Sequence, residues 1–216
     1  MSNSLKKYWY KFVNKKKYQI YRDKINKDKE LKDFKENLEK YINEVQTKIK
    51  TKKDLSFLHS GTTGDVVNAL PVIQELSKSH RCKLYLQVER PYEKDHPNNY
   101  CPFLLPQHLF EMLVPLLKSQ KYLLEVKKFE NQEIDINFDK FREFPVSLQF
   151  DNLRYYFHVA GMQPDVLIPY LNVNPHSQIK DKIVIHRTFR YRNHLINYNF
   201  LKNYKDLMFI GTKKEY

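Results

Sequence analysis

The sequence predicts an α/β protein built on a Rossmann-like parallel sheet, preceded by a helical extension. Three observations predict it. A strand, turn, helix, strand unit of about thirty residues starts at Leu55. Further short apolar runs alternate with helical patterns behind it. The segment before it holds neither glycine nor proline from residue 5 to residue 50. With 41% hydrophobic residues the 216-residue chain can bury a core, in one large domain or two small ones.

Residues 1–53 form the extension. Leu31, Phe34, Leu38, Tyr41, Ile42, Val45 and Ile49 recur at spacings of three and four, which marks one helical stripe. Lysine and glutamate alternate on the other faces and supply i,i+4 pairs. One or two amphipathic helices are expected. Residues 1–54 carry 17 Lys/Arg and 8 Asp/Glu, so +9 of the net +13 lies there. Such a segment is either a solvated helical surface or a contact for nucleic acid or anionic membrane.

Residues 54–163 form the first domain. LSFLHS is a strand, DVVNALPVIQELSKSH a helix with Pro71 inside it, and CKLYLQV a second strand. A helix is expected near 107–119 and strands at 122–129 and 134–141, the last half-buried by its alternation. A helix at 151–160 ends at Gly161. Residues 164–181, with three prolines, read as a linker. From 182 the pattern restarts: strand KIVIHRT, basic turn RYRN, short helix NYNFLKNY, strand DLMFIGT. Two strands and a helix are only the opening of a second Rossmann-like domain, so 182–216 is expected to be incomplete.

The stretch GTTGD holds half of the four glycines, Gly61 and Gly64, where a strand hands over to a helix. Glycine there permits a tight turn or close approach of a ligand, and ligands of open α/β sheets bind at the carboxyl ends of strands. Asp65 falls in the first helical turn, as a cap or as an acting carboxylate. A P-loop is excluded because Asp and Val follow the last glycine. The dinucleotide fingerprint lacks its third glycine, and the phosphate loop of adenylate-forming enzymes lacks its Pro-Lys pair. A second cluster, Arg187, Arg190, Arg192 and Asn193, follows a later strand end, where guanidinium forks suit phosphate. Neither zinc spacing nor a G-x-S-x-G nucleophile is present, and Cys82 and Cys101 do not make a disulfide framework.

GTTGDVVNALPVIQEL resembles the first strand-to-helix turn of glycosyltransferase family 9, the ADP-heptose:lipopolysaccharide heptosyltransferase type. Gly64, Asp65, Val66, Val67, Ala69, Leu70 and Pro71 stand in the family's order. The restart after residue 181 resembles the start of that family's second domain. The resemblance implies a GT-B architecture, with the acceptor on the first domain and a nucleotide-sugar donor on the second. It implies Asp65 as general base, with Gly61, Thr62, Thr63 and Gly64 at the acceptor and Arg187, Arg190, Arg192 and Asn193 at the donor phosphates. The nucleotide-sugar is then a substrate, with no cofactor and no metal. The expected partners are that donor and a cell-surface glycan acceptor. The expected location is the cytoplasm, peripheral to the inner membrane face. The alternative is a non-catalytic Rossmann-like binding module whose basic helices hold nucleic acid or anionic membrane.

Overall fold

The computed structural model describes residues 9, 11, 14–91, 102–143, 152–174, 177–186, 193 and 195–211. The chain divides into two compact units, Met1–Asn172 and Val173–Tyr216.

The first unit opens with an unbroken helical run. Helix α1 (Lys15–Asp33) passes through a five-residue π turn (Phe34–Leu38) into α2 (Glu39–Thr51), with Asp33, Leu38 and Glu39 all in right-handed helical conformation. Lys52 turns extended and ends the run. Its two halves differ. No residue of α1 is buried, whereas Leu38 and Val45 are fully buried and Tyr41 and Ile49 pack on the core.

So α2 is not an appendage: it closes one edge of the sheet. The Tyr41 hydroxyl accepts from Asn137 N–H (2.7 Å) and donates to Asn137 C=O (3.2 Å), pairing backbone groups that an edge strand leaves open. At the other end Lys52 Nζ donates to Asp135 Oδ1 (2.6 Å), and Lys48 Nζ donates to the carbonyls of Ile134 and Asp135. Asp135 is buried and also accepts from Ser56 N–H and Oγ–H. Burial alone would raise its pKa. The bonds from Lys52 and Ser56 outweigh burial and hold it below the usual carboxylate value.

Four strands make a wholly parallel sheet: β1 (Asp54–His59), β2 (Arg81–Leu86), β3 (Leu123–Lys128) and β4 (Ile136–Asn137), in the order β3-β2-β1-β4. Helix α3 (Thr63–Ser77) crosses from β1 to β2, and α4 (Gln107–Lys118) precedes β3. Parallel neighbours need such long crossovers, because a tight hairpin joins only antiparallel strands. Leu55, Phe57, Cys82, Leu84 and Leu86 are buried on one face of β1 and β2, and Leu58 and Tyr85 on the other, so both faces are covered toward the carboxyl ends. Helix α3 runs through Pro71, whose missing N–H leaves one intrahelical bond unmade. Large buried side chains such as Phe57, Leu70, Ile73 and Tyr156 each contribute about 1.5–3 kcal/mol of burial free energy.

The strand expected over 134–141 is cut to two residues. Asn137 Oδ1 accepts from Asp139 N–H (2.9 Å), an Asx turn that diverts the chain into the 3₁₀ turn Phe138–Glu143. Helix α5 (Asn152–Val159) then packs on α3 and ends at Gly161, whose φ is +66°. Gln46 of α2 donates to the carbonyls of Ala160 and Gly161 there.

The expected linker is divided. Its first part is strapped to the first unit: Gln74 donates to Pro169 C=O, Tyr122 OH donates to Tyr170 C=O, and Gln120 bonds both backbone groups of Asn172. The second unit holds β5 (Ile183–His186) and β6 (Leu207–Ile210), a parallel pair, with a 3₁₀ turn at Tyr198–Asn203 between them.

Candidate functional site

The chain builds β1, β2 and β3 to one side and then returns to place β4 on the other side of β1. The carboxyl ends of β1 and β4 therefore flank the switch point of the sheet, the usual ligand crevice of open α/β folds. The end of β1, the turn after it and the first turn of α3 supply His59 to Asp65. The turn after β4 supplies Asp139 to Arg142.

Gly61 and Gly64 stand in this loop for different reasons. A Cβ on Gly61 would lie 2.5 Å from His59 Cε1 and 2.8 Å from Asp65 Oδ2. Gly61 is required by packing, because His59 folds beneath the turn and its Nδ1 accepts from Gly61 N–H (2.8 Å). A Cβ on Gly64 would meet only Thr62 Oγ1, at 3.9 Å. Gly64 is exposed, and nothing among the described residues needs a glycine there.

Thr62 and Asp65 form a capping box on α3. Asp65 N–H donates to Thr62 Oγ1 (3.4 Å), and Thr62 N–H donates back to Asp65 Oδ2 (3.0 Å). The Thr62 hydroxyl is also 3.0 Å from Oδ2 and donates to it. Arg142 Nη2 lies 3.6 Å from the same oxygen. Asp65 thus serves as helix cap, with its hydrogen bonds among the described residues all on Oδ2. Thr63 is partly exposed in the first turn of the helix.

The side chains behind Asp65 are absent from the sequence reading. Asp139, about 10% exposed, collects Ser60 N–H (3.1 Å), Ser60 Oγ–H (2.5 Å), Arg90 Nη1 (3.1 Å) and Arg142 Nη1 (3.0 Å). Arg90 also donates to Ser60 Oγ (2.7 Å), and Arg142 lies 4.5 Å over the Phe141 ring. Two carboxylates and two guanidiniums balance in charge across the crevice. Arg142 bridges both carboxylates, so one residue couples the α3 turn to the β4 turn.

His59 lies beneath them, fully buried. Because Nδ1 accepts from Gly61, the proton sits on Nε2, which donates to Tyr156 Oη (2.9 Å). Burial pushes the imidazole pKa down to about 4, against the pull of Asp139 and Asp65, so His59 is neutral near pH 7. Burial likewise pushes the Tyr156 phenol up and keeps it protonated. These two residues support the turn from below.

The structure brings Gly61, Thr62, Thr63, Gly64 and Asp65 into one turn at the switch point. Arg187, Arg190 and Arg192 lie outside the described residues. Asn193 belongs to the second unit, where its Oδ1 accepts from Leu195 N–H (2.9 Å) in an Asx turn. Of the residues missed, His59 and Ser60 stood directly before Gly61 at a strand end. Asp139 was hidden inside the pattern over 134–141 that read as strand, and Arg142 follows it directly.

Comparison of the chain with protein-family models, with curated proteins and with solved structures finds no match.

Proposed function

We propose that the switch-point crevice is the acceptor side of a GT-B glycosyltransferase, with Asp65 as general base. The observation that carries this is the place of Asp65: first turn of α3, carboxyl end of β1, with Oδ1 taking none of the hydrogen bonds among the described residues. In the reaction an acceptor hydroxyl attacks the anomeric carbon of a nucleotide-sugar. The new C–O bond forms as the bond to the diphosphate oxygen breaks. The hydroxyl proton passes to Asp65 Oδ1, and the nucleoside diphosphate leaves with the bonding pair. Thr63 and the open space over Gly64 receive the acceptor. On the same resemblance, Arg187, Arg190, Arg192 and Asn193 are the residues assigned to the donor phosphates. The motif Gly64-Asp65-Val66-Val67, followed by Ala69-Leu70-Pro71, supports the same reading.

The test is nucleoside diphosphate release from a panel of nucleotide-sugars with glycan acceptors. Asp65→Asn keeps an oxygen for the cap but cannot take a proton. Its turnover should fall at least about a hundredfold, the scale of general base catalysis. Undiminished turnover in the variant sinks the base assignment, and no turnover of any nucleotide-sugar by the native chain sinks the transferase reading.

The capping box favours a second reading, a binding module in which Asp65 only holds the helix. Asp65→Ala would then cost about 1 kcal/mol of stability and leave ligand affinity unchanged, as titration calorimetry would record.

A further inference from the structure

The four-stranded sheet has two edges, and the chain treats them differently. At β4 the Tyr41 hydroxyl pairs both backbone groups of Asn137. At β3 the corresponding groups stay open. Phe129 N–H donates to Leu86 C=O. Backbone groups alternate in direction along a strand, so Lys127 also faces β2, while Val126 and Lys128 present N–H and C=O outward. Among the described residues only Gln132 reaches these groups, Nε2 to Lys128 C=O at 3.5 Å. The Val126 side chain belongs to the core, so this residue offers the outside its backbone. Leu124 beside it is 61% exposed.

An open row of N–H and C=O groups is a template for another strand. No described helix is long and apolar enough to cross a membrane. Lipid is no cover for a strand edge either, because acyl chains cannot hydrogen-bond its backbone.

Charge decides which strand fits. Glu125 and Lys127 share one face of β3, with Lys127 Nζ 2.7 Å from Glu125 Oε2, and the Tyr85 hydroxyl donates to Glu125 Oε1 (2.8 Å). Consider two copies of β3 meeting antiparallel about a two-fold axis. With the axis at Val126, that residue exchanges both backbone bonds with its own copy. Glu125 of each copy then stands opposite Lys127 of the other. An axis at Glu125, Lys127 or Lys128 sets like charges directly opposite, which destabilises a sheet. The bulge between Leu123 and Glu125 takes Leu124 out of the regular ladder as a centre. In the Val126 register the exposed Leu124 comes beside the aliphatic stem of Lys128 of the second copy.

We infer that two copies of this chain pair antiparallel through β3, with Val126 on the two-fold axis, and join their sheets into one. Both copies use the same edge, so the contact closes at two. Tyr41 guards the other edge against further growth. The inference goes beyond the proposed function and holds whether or not the chain transfers sugar.

The experiment is sedimentation equilibrium of the whole chain up to millimolar concentration, with hydrogen exchange at the Val126 amide followed over the same range. The native chain should approach twice the monomer mass, and that amide should exchange more slowly as the dimer forms. Glu125→Lys sets lysine against lysine at both charged pairs, and Lys127→Glu sets glutamate against glutamate. Each should weaken association about tenfold or more, with thermal melts showing both variants folded. An equimolar mixture of the two restores both unlike pairs and should dimerise like the native chain. Four results overturn the inference: a native chain that stays monomeric throughout, a dimer that neither variant weakens, a mixture of folded variants that stays monomeric, or, with no variant needed, exchange at Val126 indifferent to concentration.

Discussion

His59 and Tyr156 are joined by a buried hydrogen bond, Nε2 to Oη at 2.9 Å, although 97 residues separate them in the chain. The bond ties the strand end that carries the GTTGD turn to α5. Tyr156→Phe leaves the Nε2–H without an acceptor in a dry site. The expected cost is about 1–3 kcal/mol, read from urea denaturation.

The same histidine sets a pH dependence. Its pKa is about 4 in the fold and near 6.5 in the unfolded chain. The unfolded state therefore binds the extra proton between these values, and stability rises with pH across that window. The contribution is complete above about pH 6.5 and falls by on the order of 3 kcal/mol on the way to pH 4. His59→Gln should flatten this slope. Denaturation midpoints that vary with pH as steeply as in the native chain would contradict the assignment.

Asp135 acts in the opposite pH range. Its folded pKa is depressed, so its stabilisation is present above the ordinary aspartate value near 4 and is lost as pH falls below it. Asp135→Asn should be less stable than the native chain at pH 7, with the difference shrinking in acid. A constant difference from pH 7 to pH 3 would refute this account.

The two glycines of the turn should respond differently to alanine. Gly61→Ala forces a methyl group against His59 and Asp65 and should cost about 1–3 kcal/mol or more. Gly64→Ala meets open space and should stabilise α3 by up to about 1 kcal/mol. Thermal melts of the pair decide it. If Gly64→Ala also weakens acceptor binding, the open space over residue 64 belongs to the ligand.

Tyr41→Phe should reopen the β4 edge. Asn137 loses a partner for both backbone groups. Hydrogen exchange at Asn137 should accelerate, with a stability loss of about 1–2 kcal/mol. Unchanged exchange would show that Tyr41 does not guard the edge.

Much of this was legible in sequence because local pattern and environment agree. The runs at 55–60 and 82–88 are apolar because both sheet faces are covered, and the Thr62–Asp65 spacing is itself a capping signal. The alternation at 134–141 misled because Asn137 turns the chain and Asp139 is then held by the distant Ser60 and Arg90, which no local period encodes. The stripe of α2 was legible, but the charge of residues 1–54 hid that it packs into the core of the first unit and is not part of a separate extension. The crevice itself depends on β4 adding beside β1, a choice made by packing across the sheet.

The five-residue π turn at Phe34–Leu38 sets a phase between the two halves of the helical run. A π turn accommodates one residue more than an α turn, and each α-helical residue advances the helix by about 100°. The face that α1 presents is thus rotated about a quarter turn from the face that α2 buries. Deleting Asn37 would restore plain α-helix. It would swing every lysine of α1 by that angle while leaving the contacts of Tyr41, Val45 and Lys52 in place. A single residue in the shaft thus works as a key that orients the outer helix independently of the inner one.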